Sequence, residues 1–222
     1  MNLRIFDSTD ELMSAAARTI VESHARTVAL SGGSTPQPLY TLLGRQLCDE
    51  QMTWVVVDER YVPIDDPQSN AGMINQTLFR NGMPPSHRFL RFHTELADPQ
   101  KTVETFEAEW RAYGLDNLDV VILGVGDDGH TASLFPGTPA LQVEDRVATA
   151  VFVEKLAMWR VTITKPVIRA AKLRIVLVTG ASKREVLTKV RDGATEYPIA
   201  QATQGVETWW FVDRAAAPAS TP

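Results

Sequence analysis

One cysteine, Cys48, among 222 residues excludes an intramolecular disulfide and argues against a cysteine-based metal site. Cys48 reads instead as a reduced, buried or half-buried thiol. No apolar run is long enough to span a bilayer. The opening MNLRIFDSTDELMSAAARTI lacks a basic start followed by an apolar segment, so it does not read as a signal peptide. A soluble protein in a reducing, cytoplasmic compartment is the expectation. Positive charge is also scarce: the net charge of −5 offers no general field for nucleic acid or anionic membranes. Any anionic ligand must be held by local cations. There is no G-x-S-x-G nucleophile elbow, no Walker loop and no G-x-G-x-x-G. Internal repeats and linkers are missing too, so residues 1–214 are expected to form a single domain. The last residues, 215–222, carry nothing core-forming and are expected to fray.

What is present alternates between strand-like and helix-like stretches. Strands are expected at Leu3–Phe6, Thr27–Leu30, Trp54–Val57, Arg88–Phe92, Val120–Leu123, Thr149–Val153, Arg160–Thr164, Arg174–Val178 and Trp209–Val212. Helices are expected after the cap Asp7-Ser-Thr-Asp, from Pro36 or Pro38 to Leu43, and over Ser69–Phe79, Val103–Tyr113, Pro166–Ala171 and Ser182–Val190. Such alternation predicts an α/β fold: a mostly parallel, Rossmann-like central sheet covered by helices on both faces.

The stretch DVVILGVGDDGHTASLFPG, residues 119–137, organises the rest. Its apolar half suits a strand buried on both faces. The pattern then breaks into Gly124, Gly126, Asp127, Asp128, Gly129 and His130. Glycines there let the backbone turn sharply and approach a ligand. In an open α/β sheet, ligands sit outside the carboxyl ends of strands, where this loop lies. His130 can accept a proton near neutral pH, and Asp128 could fix its tautomer or bind a substrate hydroxyl. An Asp-Gly turn with a surface histidine is the plainer alternative.

Four further loops leave strand ends. Ser31-Gly32-Gly33-Ser34-Thr35-Pro36 exposes consecutive amides and hydroxyls before a helix start, a recipe for holding a phosphate. Asp58-Glu59-Arg60, followed by Ser69-Asn70, is either a solvated edge or a pocket rim. Lys155 stands near Arg160, which is expected to open the strand RVTIT. Thr179-Gly-Ala-Ser-Lys183 places a cation at a helix start, where it opposes the macrodipole unless an anion is bound.

SGGSTP, DERYVPIDDPQSN, GVGDDGHTASLFPG, WRVTIT and TGASKREVL, in this order and spacing, closely resemble the 6-phosphogluconolactonase family over essentially the whole chain. The wider superfamily includes glucosamine-6-phosphate deaminase. The resemblance implies a three-layer α/β/α fold and hydrolysis of 6-phospho-glucono-lactone, the second step of the oxidative pentose phosphate pathway. It implies His130 as general base, Asp128 as its neighbour at the lactone, and Arg60, Arg160 and Lys183 as cations around the phosphate. The substrate site it suggests also includes Ser31, Gly32, Gly33, Ser34, Thr35, Asp58, Asn70 and Gly129. One departure is Lys155-Leu-Ala-Met-Trp-Arg160, where the family often has a proline-rich stretch; this leaves the loop path and the role of Lys155 open.

A δ-lactone is an activated ester, so neither a covalent nucleophile, a metal nor another cofactor is required. The expected chemistry is attack of a water deprotonated by His130, with amides of the glycine loop holding the oxyanion. Two rivals are an amino-sugar deaminase on the same fold and a non-catalytic sugar-phosphate sensor. The deaminase pattern resembles I-A-F-N-E-P after the histidine; here Phe135 stands in the place of its glutamate, and Arg60 in that of a tyrosine. The sensor reading lacks a segment for a helix-turn-helix. The expected partner is a small sugar-phosphate lactone, with no nucleic acid and no membrane. The expected state is a monomer, with a weak homodimer as the alternative.

Overall fold

The computed structural model of the chain describes residues 1–218. Ten strands are β1 (Asn2–Phe6), β2 (Thr27–Leu30), β3 (Thr53–Val56), β4 (Asp58–Arg60), β5 (Arg88–Leu90), β6 (Val120–Leu123), β7 (Ala148–Val153), β8 (Met158–Ile163), β9 (Leu173–Val178) and β10 (Thr208–Asp213). Seven α-helices are α1 (Thr9–Glu22), α2 (Gln37–Gly44), α3 (Asn70–Thr77), α4 (Pro99–Ala112), α5 (Lys165–Ala170), α6 (Arg184–Arg191) and α7 (Pro198–Thr203).

The central sheet has seven strands, all parallel, in the order β1-β10-β9-β6-β2-β3-β5. Its inner strands are short apolar runs because both faces are covered: Val28–Leu30, Val120–Leu123 and Ile175–Val178 are all buried. From β2 the chain proceeds outward through β3 and β5, then returns beside β2 as β6 and proceeds the other way through β9 and β10. With right-handed crossovers, this reversal puts helices on opposite faces and gives the α/β/α layering expected from the sequence. On the helical layers, α1 packs against α2 and α2 against α3, while α5 packs against α7.

Local signals explain most element starts. Ser8 caps α1, its hydroxyl accepting from the Glu11 amide at 3.2 Å, and the Glu11 carboxylate takes the Asp7 amide. Asp98 caps α4 and Pro99 fills the first helical position, so this helix begins four residues before the expected Val103. The helix α7, opened by Pro198, has no counterpart among the expected elements. The expected helix from Ser182 is a 3₁₀ turn, Ala181–Lys183, followed by α6.

Three sequence expectations are corrected by the second sheet. Asp58-Glu59-Arg60 is a strand, not a loop, and Thr149–Val153 and Arg160–Thr164 do not join the parallel sheet. They form a separate antiparallel sheet, β4-β8-β7. Val57 is the joint: its amide donates to Leu30 of the central sheet at 3.0 Å, while its carbonyl accepts from Ile163 of the small one at 2.9 Å. Arg160 consequently lies inside β8 rather than at its start. At the C-terminus, the expectation of a tail free of core contacts from residue 215 is corrected at Ala216, which is fully buried. Residues 219–222 of that tail lie outside the described residues.

Candidate active site

The reversal of strand order falls between β2 and β6, and a cleft of about 420 Å³ opens above it. The loops after β2, β6 and β9 meet there with one face of the small sheet.

The β2 loop forms the first wall. The buried Tyr40 hydroxyl on α2 donates to the Ser31 carbonyl at 2.7 Å, and burial pushes the Tyr40 phenol far above its ordinary value, so it remains a donor. The amides of Gly32, Gly33, Ser34 and Thr35 donate to no protein acceptor among the described residues. They stand directly before α2, as an anion-binding nest does. Gly32 is required by close approach: a Cβ there would lie 1.8 Å from Asn70 Oδ1.

The second wall is the small sheet. Arg60 and Arg160 are directly opposed across β4 and β8, an arrangement of like charges that costs stability in the absence of an anion. Arg60 is held by the Gln68 carbonyl at 2.9 Å and by Asn70 Oδ1. Arg160 forms no ion pair or hydrogen bond through its guanidinium among the described residues, and its Nε is buried without a partner. Burial draws this guanidinium below its ordinary value, Asp58 opposing and Arg60 reinforcing the shift. Asp58 itself is buried, with Oδ2 accepting from Ser133 Oγ at 2.7 Å. Asn70 donates from Nδ2 to the Asp58 carbonyl at 2.6 Å, so both ends of its amide are engaged.

The third wall is the β6 loop. The Gly126 amide donates to the His130 carbonyl at 2.8 Å, folding the loop back so that the imidazole lies over Gly126. A Cβ on Gly126 would lie 2.0 Å from His130 Nδ1. Asp128 Oδ1 contacts His130 Nδ1 at 2.5 Å and accepts the His130 amide at 3.1 Å. Its other oxygen is held by the Lys155 ammonium. Partial burial works against ionisation of Asp128, yet Lys155 and the His130 ring and amide hold its carboxyl well below the usual carboxylate range. The Phe135 ring stacks on His130 with centroids 4.3 Å apart, and Lys155 lies 4.8 Å from the same ring centroid. An imidazole that gives its Nδ1 proton to Asp128 leaves Nε2 free to accept a proton. The last cation, Lys183, lines the cleft beside Thr179 and pairs with Asp127 at 2.6 Å.

Thus Ser31, Gly32, Gly33, Ser34, Thr35, Asp58, Arg60, Asn70, His130, Arg160 and Lys183 all line one cleft, as does Lys155, whose role the sequence left open. Asp128 stands behind His130 rather than in the cleft wall. Gly129, expected at the substrate, is placed elsewhere. Its amide donates to Gly126, its carbonyl accepts from Ile199 at 3.0 Å, and it abuts the Tyr197 ring. Thr131 was missed: its hydroxyl is buried in the cleft wall without a partner. Ala132, next to it, adopts a left-handed φ of 52°, a strain that clusters at functional loops. A non-glycine residue in this conformation leaves no mark in the sequence. No group of three or more His, Cys, Asp or Glu side chains among the described residues is arranged to hold a metal ion.

Known proteins resemble this chain over most of its length. A 6-phosphogluconolactonase of Synechocystis sp. is 37% identical over 209 residues, 90% of this chain and 86% of the relative. One from Homo sapiens is 31% identical over 97% of this chain and 92% of its own. The crystal structure of a 6-phosphogluconolactonase from Thermotoga maritima superposes with a TM-score of 0.85 at 28% identity, covering 96% and 99% of the two chains. Residues 5–210 match the family described as glucosamine-6-phosphate isomerases/6-phosphogluconolactonase, and the chain belongs to that family.

Proposed function

We propose that this protein hydrolyses 6-phospho-D-glucono-1,5-lactone to 6-phospho-D-gluconate, the second step of the oxidative pentose phosphate pathway. The observation that carries the reading is the imidazole of His130. Asp128 holds its Nδ1 side, and it faces a cleft whose other walls present Arg60, Arg160, Lys183 and the unpaired amides of residues 32–35. That is one proton acceptor opposite one site for a dianion.

In this reading the phosphate docks between the arginines, Lys183 and the amide nest. Its binding energy fixes the lactone against the base. His130 Nε2 takes a proton from water as the water oxygen bonds to the lactone carbonyl carbon. The tetrahedral intermediate collapses with cleavage of the bond to the ring oxygen, and the imidazolium returns its proton to that oxygen. Asp128 orients the ring and stabilises the imidazolium; Lys155 keeps Asp128 ionised for that task. Phe135 covers one face of the imidazole, and no carboxylate besides Asp128 is hydrogen-bonded to the ring among the described residues. This favours water activation over the acid–base pair that a deaminase needs.

His130→Ala tests the reading. The variant is expected to fold normally and to lose about 10²–10⁴-fold in kcat, the usual worth of a positioned proton acceptor. Lactone consumption is to be followed rapidly against its spontaneous hydrolysis at mildly acidic pH. Near-wild-type turnover in the folded variant removes His130 from the mechanism.

A further inference from the structure

Glu59 is the most deeply buried carboxylate among the described residues, the proposed reaction does not use it, and no cation is hydrogen-bonded to it. It is 1% exposed, and its hydrogen-bond partners are all neutral donors. Oε1 accepts the amides of Arg60 at 2.8 Å and Asn70 at 2.7 Å; Oε2 accepts the Ala71 amide at 2.7 Å and the Ser69 hydroxyl at 3.1 Å. Burial raises its pKa while those amides lower it. A buried carboxylate is costly to desolvate, and here four hydrogen bonds from β4 and the start of α3 offset that cost, so the carboxylate and these donors hold one another in place.

Its four donors belong to two segments that reach the cleft. Arg60 carries a guanidinium of the anion wall. Ser69, Asn70 and Ala71 are the cap and first turn of α3. Asn70 in turn accepts from Arg60 and packs its amide against the backbone of Gly32 in the nest. One side chain therefore fixes β4 to α3, and through Asn70 fixes Arg60 relative to the amides of residues 32–35. We propose that Glu59 is a positioning residue for the anion subsite: it sets the distance between the Arg60 guanidinium and the amide nest without touching the substrate. This rests on the reading of the cleft as a phosphate site.

Glu59→Gln is the test, because each carboxylate oxygen accepts at least one backbone N–H. No orientation of the glutamine avoids an amide N–H facing its NH₂ group. The folded variant is expected to raise KM for 6-phosphogluconolactone and the calorimetric Kd for inorganic phosphate together, each about tenfold, with kcat held within about twofold. A general loss of packing would instead lower the active fraction, and hence kcat, at unchanged KM. That outcome, or wild-type KM and phosphate affinity in a folded variant, overturns the proposal. Should Glu59→Gln fail to fold, Ser69→Ala removes one donor to the carboxylate. It is expected to shift both constants the same way by about two- to threefold, and no shift overturns the proposal. A wild-type protein that binds phosphate, is weakened by Glu59→Gln and yet lacks lactonase activity would sink the reaction but keep this inference. Failure of the wild type to bind phosphate at all would sink the inference itself.

Discussion

Among individual residues, the three cations proposed for the anion, Arg60, Arg160 and Lys183, are not equivalent. Lys183 is already paired with Asp127 and Arg60 is held by Asn70 and Gln68, whereas Arg160 is half-buried with no hydrogen-bond or ion-pair partner for its guanidinium among the described residues. A partly desolvated cation with no directly bonded partner gains most when an anion arrives. Arg160→Ala and Lys183→Ala are both expected to lower kcat/KM for the phosphorylated lactone, by about ten- to a hundredfold if one charge-assisted contact is worth roughly 1.5–3 kcal/mol. The larger loss belongs to Arg160. Hydrolysis of unphosphorylated gluconolactone should barely change in either variant. Equal losses on both substrates would assign these cations to the fold or to the lactone ring.

At the scale of elements, the site depends on strands whose far ends are fastened. At the end of the sheet opposite the cleft, Asp119 precedes β6 and ties it to β2. Its Oδ2 accepts the amides of Arg26 at 2.8 Å and Thr27 at 2.9 Å and the Thr27 hydroxyl at 3.1 Å. Partial burial works to raise the Asp119 pKa, but Lys172 and the two amides prevail and lower it. A carboxyl depressed in the folded state binds fewer protons there than in the unfolded chain. Its stabilisation is therefore present above the unfolded value of about 4 and is lost as pH falls through the folded one. Setting aside the exposed Lys172 contact, Asp119→Ala is expected to cost about 1–2 kcal/mol at pH 7 from the lost amide bonds. Urea unfolding should show the gap to wild type closing as pH is lowered below about 4. A gap that persists unchanged into that range would mean that packing, not the charge, is responsible.

For the whole molecule, the absence of a cysteine pair and the arrangement of acidic and imidazole groups bear on metal dependence. His130 is engaged with Asp128, and the described residues offer no set of three or more ligands. Lactone hydrolysis is expected to survive exhaustive chelation in full, measured as kcat/KM before and after treatment. Activity lost on chelation and restored specifically by zinc would overturn the water-and-histidine chemistry. The net charge of −5 makes the local character of the anion site equally testable at this scale. Since attraction comes from a few partly buried cations rather than from a general field, the arginine and lysine variants should differ in KM far more than in the salt dependence of KM.

The sequence by itself determined the parallel sheet, because strands buried on both faces read as short apolar runs and the loops after them carry glycine and hydroxyl clusters. It also determined that His130, Asp128 and the Ser31–Thr35 loop lie at strand ends, since turn chemistry is local and leaves a local signature. Only the tertiary structure decided that Asp58-Glu59-Arg60 is a strand. Three charged residues carry no apolar period, and their pairing with β8 is a contact across a hundred residues of sequence. The same holds for Arg160, whose lack of a hydrogen-bond partner at Nε is a property of packing. It holds for Gly129, which faces Tyr197, the residue just before α7, a helix with no periodic signal of its own. Glu59 is the clearest case: a carboxylate in a charged triplet looks solvent-facing in sequence, and only the closing of α3 over β4 buries it among backbone amides.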